Sequence, residues 1–110
     1  MKSQQKLAII IPAFNEDAMI GNVIKNVPRK ILHFQKPVII VINDGSTDGT
    51  KNQARRAGAY VVTHPLNRGL GGALGTGSML AKKEKFDLVV TLDADGQHDP
   101  VDVSRLIQPI

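Results

Sequence analysis

The 110-residue sequence has no cysteine and no tryptophan, and its aromatics amount to one tyrosine and three phenylalanines. Lacking cysteine, it can form no disulfide scaffold, zinc ribbon or thiol nucleophile. So few aromatics offer no platform on which nucleic-acid bases could stack. Long apolar runs are also missing: the longest, Leu7–Ile11 and Val38–Ile42, are five residues each. Neither could cross a bilayer, and no signal-peptide core follows the N-terminus. A cytoplasmic location is expected, with the cytoplasmic face of a membrane as a variant of it.

Acidic residues are the scarcer charge, 10 Asp plus Glu against 14 Lys plus Arg, which leaves a net charge of +4. The basic groups Lys51, Arg55, Arg56 and Lys82, Lys83, Lys85 fall where late helix turns are expected, and cations there complement the helix dipole. A solvated helix-end face explains them better than a nucleic-acid surface, so no nucleic-acid partner is expected. With 42% hydrophobic and 22% charged residues, the composition is globular and the length suits one domain.

Four short runs rich in Val and Ile recur at Leu7–Ile11, Val38–Ile42, Ala59–Thr63 and Leu88–Leu92. They do not alternate polar with apolar, which marks strands buried on both faces of a parallel sheet. Met19, Ile20, Val23, Ile24 and Val27 form one apolar helix face, stopped by Pro28. Ser46 to Thr50 supplies N-cap candidates for a second helix ending near Ala57, with Gly58 beyond it. A third helix is expected from about Gly71 to Lys83, and Asp99-Pro100 opens a fourth through Leu106. The order β-α-β-α-β-α-β-α predicts an α/β fold, a Rossmann-like three-layer sandwich with a mainly parallel sheet.

Open parallel sheets bind ligands beyond the carboxyl ends of their strands. That rule selects Pro12–Glu16, Asn43–Asp48 and Asp93–His98. These segments contain Glu16, Asp44, Asp48, Asp93 and Asp95, so a basic chain concentrates acid along one rim. With eight Asp in the chain, about 0.6 Asp-x-Asp matches arise by chance, so Asp93-Ala94-Asp95 is informative through its place and not its pattern. Carboxylates at i and i+2 of an extended segment share a side, and two such anions in a cleft call for a cation between them. Hard oxygen ligands suit Mg2+ or Mn2+, and Gln97 adds a neutral oxygen.

Ser46 and Asp48 are well explained as N-caps, whereas Asp44 comes too early to cap and could reach a ribose or base edge. Glu16 serves either a ligand or the dipole of the first helix; Pro12 and Phe14 either wall a base pocket or close the strand. The stretch Asn67–Gly77 fits neither G-x-G-x-x-G nor the Walker pattern, so its small residues read as close helix–sheet packing, with Arg68 in reach of a diphosphate. His64 and His98 read as loop residues, and no Ser–His–Asp arrangement emerges.

The motifs Ile10–Glu16, Val41–Thr50, Asn67-Arg68-Gly69 and Asp93–Pro100, in that order and at strand ends, resemble the nucleotide-binding half of family 2 glycosyltransferases. The last is most similar to dolichol-phosphate mannosyltransferases and related polyprenyl-phosphate glycosyltransferases. The resemblance covers the chain from Leu7 onward and implies the N-terminal half of a GT-A fold, residues 1–110 being the nucleotide-sugar-binding part of a longer domain. It implies that Pro12, Phe14, Glu16 and Asp44 hold the nucleoside. It implies further that Asp93, Ala94, Asp95 and Gln97 bind the sugar nucleotide, with Asp93, Asp95 and Gln97 around Mg2+ or Mn2+. Phe14 departs from the commoner Tyr, and Asn43 stands where a second Asp often lies.

The implied reaction is inverting transfer from a UDP- or GDP-sugar to polyprenyl phosphate or another acceptor. Any general base is expected outside this chain, which alone is expected not to turn over. A noncatalytic nucleotide-binding module and a nucleotidyltransferase-like domain are the alternatives. Without further strands the sheet should expose an edge or an apolar face and self-associate, and the full-length protein is expected at a membrane surface.

Overall fold

The computed structural model describes residues 4–95 and the backbone of Gln108–Pro109. The expected fourth helix at Asp99–Leu106, together with Gln97 and His98, lies outside the described residues. Four parallel strands form the sheet: β1 (Leu7–Ala13), β2 (Val38–Asp44), β3 (Tyr60–His64) and β4 (Leu88–Thr91). Their order is β3-β2-β1-β4, with β5 (Gln108–Pro109) added antiparallel beside β4. The three intervening helices are α1 (Ile20–Lys25), α2 (Thr50–Arg56) and α3 (Gly69–Lys83). The chain runs outward from β1 through β2 to β3, then crosses back to the far side of β1. The gap between β1 and β4 is therefore the topological switch point, where such sheets bind ligands.

Alternation along each strand sends side chains to opposite faces. Leu7, Ile9, Ile11 and Ala13 of β1 pack with Val41, Val90 and Leu92 against Ile20, Val23 and Ile24 of α1 and Ala54 of α2. Ala8 and Ile10 pack with Ile40 and Ile42 against Ala73 and Ala81 of α3. The result is the expected three-layer sandwich. Burial of Ile9, Ile10 or Ile11 is worth about 1.5–3 kcal/mol apiece, and these central side chains are at most 1% exposed.

The small residues of α3 do what close packing requires. A β-carbon at Gly77 would lie 2.5 Å from Ile10 Cγ2, so only hydrogen fits there. Two helix ends are met as expected: α1 stops at Lys25, ahead of Pro28, and Gly58 (φ +101°) follows α2. Other details differ. α3 begins at Gly69, two residues earlier than expected, because Arg68 and Gly69 amides find a carboxylate outside the helix. Lys51 lies in the first turn of α2 and not a late one, since that helix is only seven residues long.

Candidate functional site

The strand alternation that builds the core also builds the rim. Pro12 and Phe14 continue the series Ala8, Ile10; Asp44 continues Ile40, Ile42; and His64 continues Val62. All four therefore emerge on the α3 side of the sheet. Pro12, Phe14 and Asp44 line one pocket of about 150 Å3, completed by Ala13, Asn67, Gly69, Leu70 and Ala73. Phe14 is 47% exposed, so its ring stands at the mouth of the pocket. Three of the sequence-predicted residues are thus brought together, with a mostly apolar wall around one carboxylate.

Asp44 is the polar centre of this pocket and is itself buried. Its Oδ1 accepts hydrogen bonds from the backbone N–H of Arg68 at 2.9 Å and from His64 Nδ1 at 2.7 Å. Its Oδ2 accepts the Gly69 N–H, also at 2.9 Å. Successive amides can converge on one carboxylate because Gly69 has φ +81°, a conformation that costs an L side chain about 1–2 kcal/mol. Asp44 thus caps α3 from another strand, a role that its place ahead of α2 does not suggest. Burial alone would raise the Asp44 carboxyl; hydrogen bonds from His64, Arg68 and Gly69 outweigh it and hold the group below its ordinary range.

His64 is not the loop residue expected from its sequence context. It is the last residue of β3, and it lies buried directly beside Asp44 in the parallel register. Aligning the polar ends of the two strands, Asn43-Asp44 with Thr63-His64, would have revealed the pair. Asn43 is likewise explained by its neighbours: its amide donates to Thr63 Oγ1 at 3.3 Å and accepts the Ser46 N–H at 3.3 Å. A carboxylate in its place could accept but not donate.

The β1–α1 and β2–α2 loops are laced together. Asn15 Oδ1 accepts the Thr47 N–H and Asp17 Oδ2 the Gly49 N–H; in return Ser46, Thr50 and Asp48 accept the N–H groups of Asn15, Glu16 and Asp17. Ser46 is therefore a cross-loop acceptor and not the N-cap of α2, a position that Gly49 occupies. Asp48 accepts from the Thr50 N–H at 3.0 Å and from its hydroxyl, so it does the work of a cap from one residue earlier. Burial would raise the Asp48 carboxyl, but these bonds from Thr50 and the contact with Asp17 hold it low. Gly45 (φ +78°) lets this loop approach the next: a β-carbon there would meet Asn67 N at 2.6 Å.

Glu16 is half-buried at the edge of this lacework and does not line the pocket. Asp93, Ala94 and Asp95 follow β4 across the switch point from Pro12 and Phe14. Leu92 and Ala94 are buried in the core facing α1 and α2, and Ala94-Asp95 form a turn beyond β4, which ends at Thr91. Asp93 is half-buried and Asp95 exposed. Two carboxylates are a hard-oxygen donor set of the kind Mg2+ and Mn2+ take while keeping waters and phosphate oxygens, so these residues fit such an ion. Among the described residues no group of three or more His, Cys, Asp or Glu could hold a metal by itself.

An open parallel sheet with its polar groups at the strand ends around a β1/β4 switch point is a general ligand-binding architecture of α/β proteins, and glycosyltransferases of known structure share this fold. The chain belongs to glycosyl transferase family 2, whose family model matches residues 8–110. It is 43% identical over 108 residues to the uncharacterized protein MJ1222 of Methanocaldococcus jannaschii, covering 98% of this chain and 43% of the relative. It is 36% identical to the UDP-N-acetylglucosamine–dolichyl-phosphate N-acetylglucosaminyltransferase of Methanococcus voltae, over 93% of this chain and 46% of that one. Among solved structures, glucosyl-3-phosphoglycerate synthase from Mycobacterium tuberculosis, bound to Mn2+, UDP-glucose and phosphoglyceric acid, superposes with a TM-score of 0.66. The identity there is 30%, over 82% of this chain and 33% of the synthase. The chain spans less than half the length of these curated relatives.

Proposed function

We propose that residues 1–110 are the donor-binding portion of a metal-dependent, inverting glycosyltransferase that uses a UDP- or GDP-sugar. The observation that carries this reading is the convergence of Pro12, Phe14 and Asp44 on one pocket beside the switch point, with Asp93 and Asp95 on the neighbouring strand end. The nucleoside occupies that pocket, with Asp44 accepting from base or ribose and Glu16 and Ala94 at its margins. Asp93, Asp95 and Gln97 hold Mg2+ or Mn2+, which when bound supplies charge stabilisation for the departing diphosphate.

In the transfer, an acceptor oxygen attacks the anomeric carbon as the bond from that carbon to the diphosphate oxygen breaks, and the nucleoside diphosphate leaves with the electron pair. The acceptor we favour is a polyprenyl phosphate, as the name of the Methanococcus voltae relative indicates for that protein. A phosphate oxygen is already anionic, so the step needs no strong general base, whereas a sugar hydroxyl would need one. With such an acceptor the whole protein would work at a membrane surface, and the cytoplasmic face is the one we propose. No helix among the described residues is long and apolar enough to cross one.

Calorimetry of the chain with UDP, GDP and ADP, with and without Mn2+, tests the site. Binding of UDP or GDP that depends on Mn2+ is expected, and Asp95→Ala should abolish the metal dependence while leaving the circular dichroism unchanged, since Asp95 is exposed. A folded sample that binds none of the three defeats the assignment. Incubation with UDP-glucose or GDP-mannose and a polyprenyl phosphate should give no turnover; robust transfer would show that the acceptor machinery lies within these residues. Release of pyrophosphate from a nucleoside triphosphate would point to nucleotidyl transfer instead.

A further inference from the structure

His64 takes no part in the reaction above, yet it is 4% exposed and engaged at both ring nitrogens. Nδ1 lies 2.7 Å from Asp44 Oδ1, and Nε2 lies 2.8 Å from Thr76 Oγ1. A carboxylate can only accept, so Nδ1 carries the hydrogen. The Thr76 hydroxyl lies between two acceptors, Nε2 and, at 3.1 Å, Gly72 O on the preceding turn of α3, and its one hydrogen is shared between them. A chain of contacts from buried Asp44 and His64 to half-buried Thr76 thus leads from the pocket wall through β3 into the helix behind it. The Arg68 and Gly69 amides reach Asp44 directly, so the chain bears on the cap of α3 only by holding the Asp44 carboxylate in place.

We propose that His64, backed by Thr76, is a positioning residue for the ligand pocket: its Nδ1–H locks Asp44 in one rotamer and leaves a lone pair of Oδ2 for the bound nucleotide. A carboxylate offers about four acceptor positions, and three are filled here, two on Oδ1 and one on Oδ2. Because Oδ1 carries the two protein donors His64 and Arg68, rotation of the carboxylate is blocked. The remaining acceptor is fixed before the ligand arrives, so binding does not have to order it. The inference rests on the nucleotide-binding reading of the pocket.

The test compares His64→Leu, His64→Asn and wild type by calorimetry with UDP and GDP in Mn2+, alongside amide hydrogen exchange, below all melting transitions. Leu fills the space without a donor, and Asn returns an N–H close to the position of Nδ1. His64→Leu should weaken nucleotide binding about tenfold, and His64→Asn should recover to within about threefold. Exchange protection in His64→Leu should fall at Arg68 and Gly69 while that of β1 and β2 is unchanged. Equal affinity of His64→Leu and wild type, or no recovery in His64→Asn, overturns the proposal and leaves His64 as packing. If wild type binds neither nucleotide, the pocket reading fails, and exchange decides alone: selective loss at Arg68 and Gly69 upholds the lock on Asp44, and unchanged protection overturns it.

Discussion

Asp44 joins stability to site geometry through one ionised group. Its carboxyl is raised by burial and lowered more strongly by His64, Arg68 and Gly69, ending below its ordinary 3.8. A group depressed in the folded state contributes stability that is present above its unfolded pKa and is lost as pH falls through the folded one. Asp44→Asn should therefore cost about 1.5–3 kcal/mol near neutrality, the scale of hydrogen bonds to a charged group. That difference should shrink steadily below pH 3.8. Urea unfolding of both proteins across the acid range measures it, and a pH-independent difference would mean that the bonds do not favour the ionised form. Asp44 was legible as a rim residue, whereas His64 read as a loop residue, and their partnership depends on the β2–β3 register that brings together positions 20 apart.

Elements show the same division between local and distant causes, and α3 shows it within one helix. Gly75 is exposed, and a β-carbon added there would have nothing within 4 Å, whereas Gly77 is buried against Ile10. Gly75→Ala should stabilise the protein by about 0.5–1 kcal/mol through helix propensity. Gly77→Ala gains the same propensity but forces Ile10 aside, and overpacking of this kind costs about 1–3 kcal/mol, so a net loss is expected. Thermal unfolding of the two single variants reads the opposite signs directly. Ile10→Ala should relieve part of the Gly77→Ala penalty, so the double variant should be less destabilised than the sum of the singles. The sequence indicated that the glycines of α3 serve packing, but it could not say which of them did.

Across the whole molecule, charge is segregated by the direction of the helices. The last turns of α1, α2 and α3 carry Lys25, Arg55, Arg56, Lys82 and Lys83 at the pole where the strands begin. Asp44 ends β2, and Glu16, Asp48, Asp93 and Asp95 follow their strands, at the opposite rim. The cations of the last helix turns thus lie a strand length from the acidic rim, where Lys51 in the first turn of α2 and Arg68 at the start of α3 are the nearer positive groups. Helices cover both faces of the described sheet, so its open feature is the edge strand β3, where Tyr60 is 70% exposed. Unpaired edges template association, so light scattering should show the mass rising with concentration, and Tyr60→Lys should suppress the rise. A monomer throughout the range would count against that reading.

The absence of cysteine and the scarcity of aromatics remain informative beside the structure. Among the described residues, the polar groups at and behind the pocket are a carboxylate, backbone amides and a buried imidazole, beside the apolar Pro12 and Phe14. The four parallel strands, the three described helices and the first two rim segments, Pro12–Glu16 and Asn43–Asp48, were readable from the chain because periodicity and turn residues act over a few positions. So were Pro12, Phe14 and Asp44 as rim residues, since parallel strands present their ends together. The laced loops, the Arg68–Gly69 amides on Asp44 and the His64–Thr76 support were decided by tertiary structure alone. Each joins residues that are distant in sequence or separate elements, and only strand register, sheet face and helix placement bring their atoms within hydrogen-bond reach.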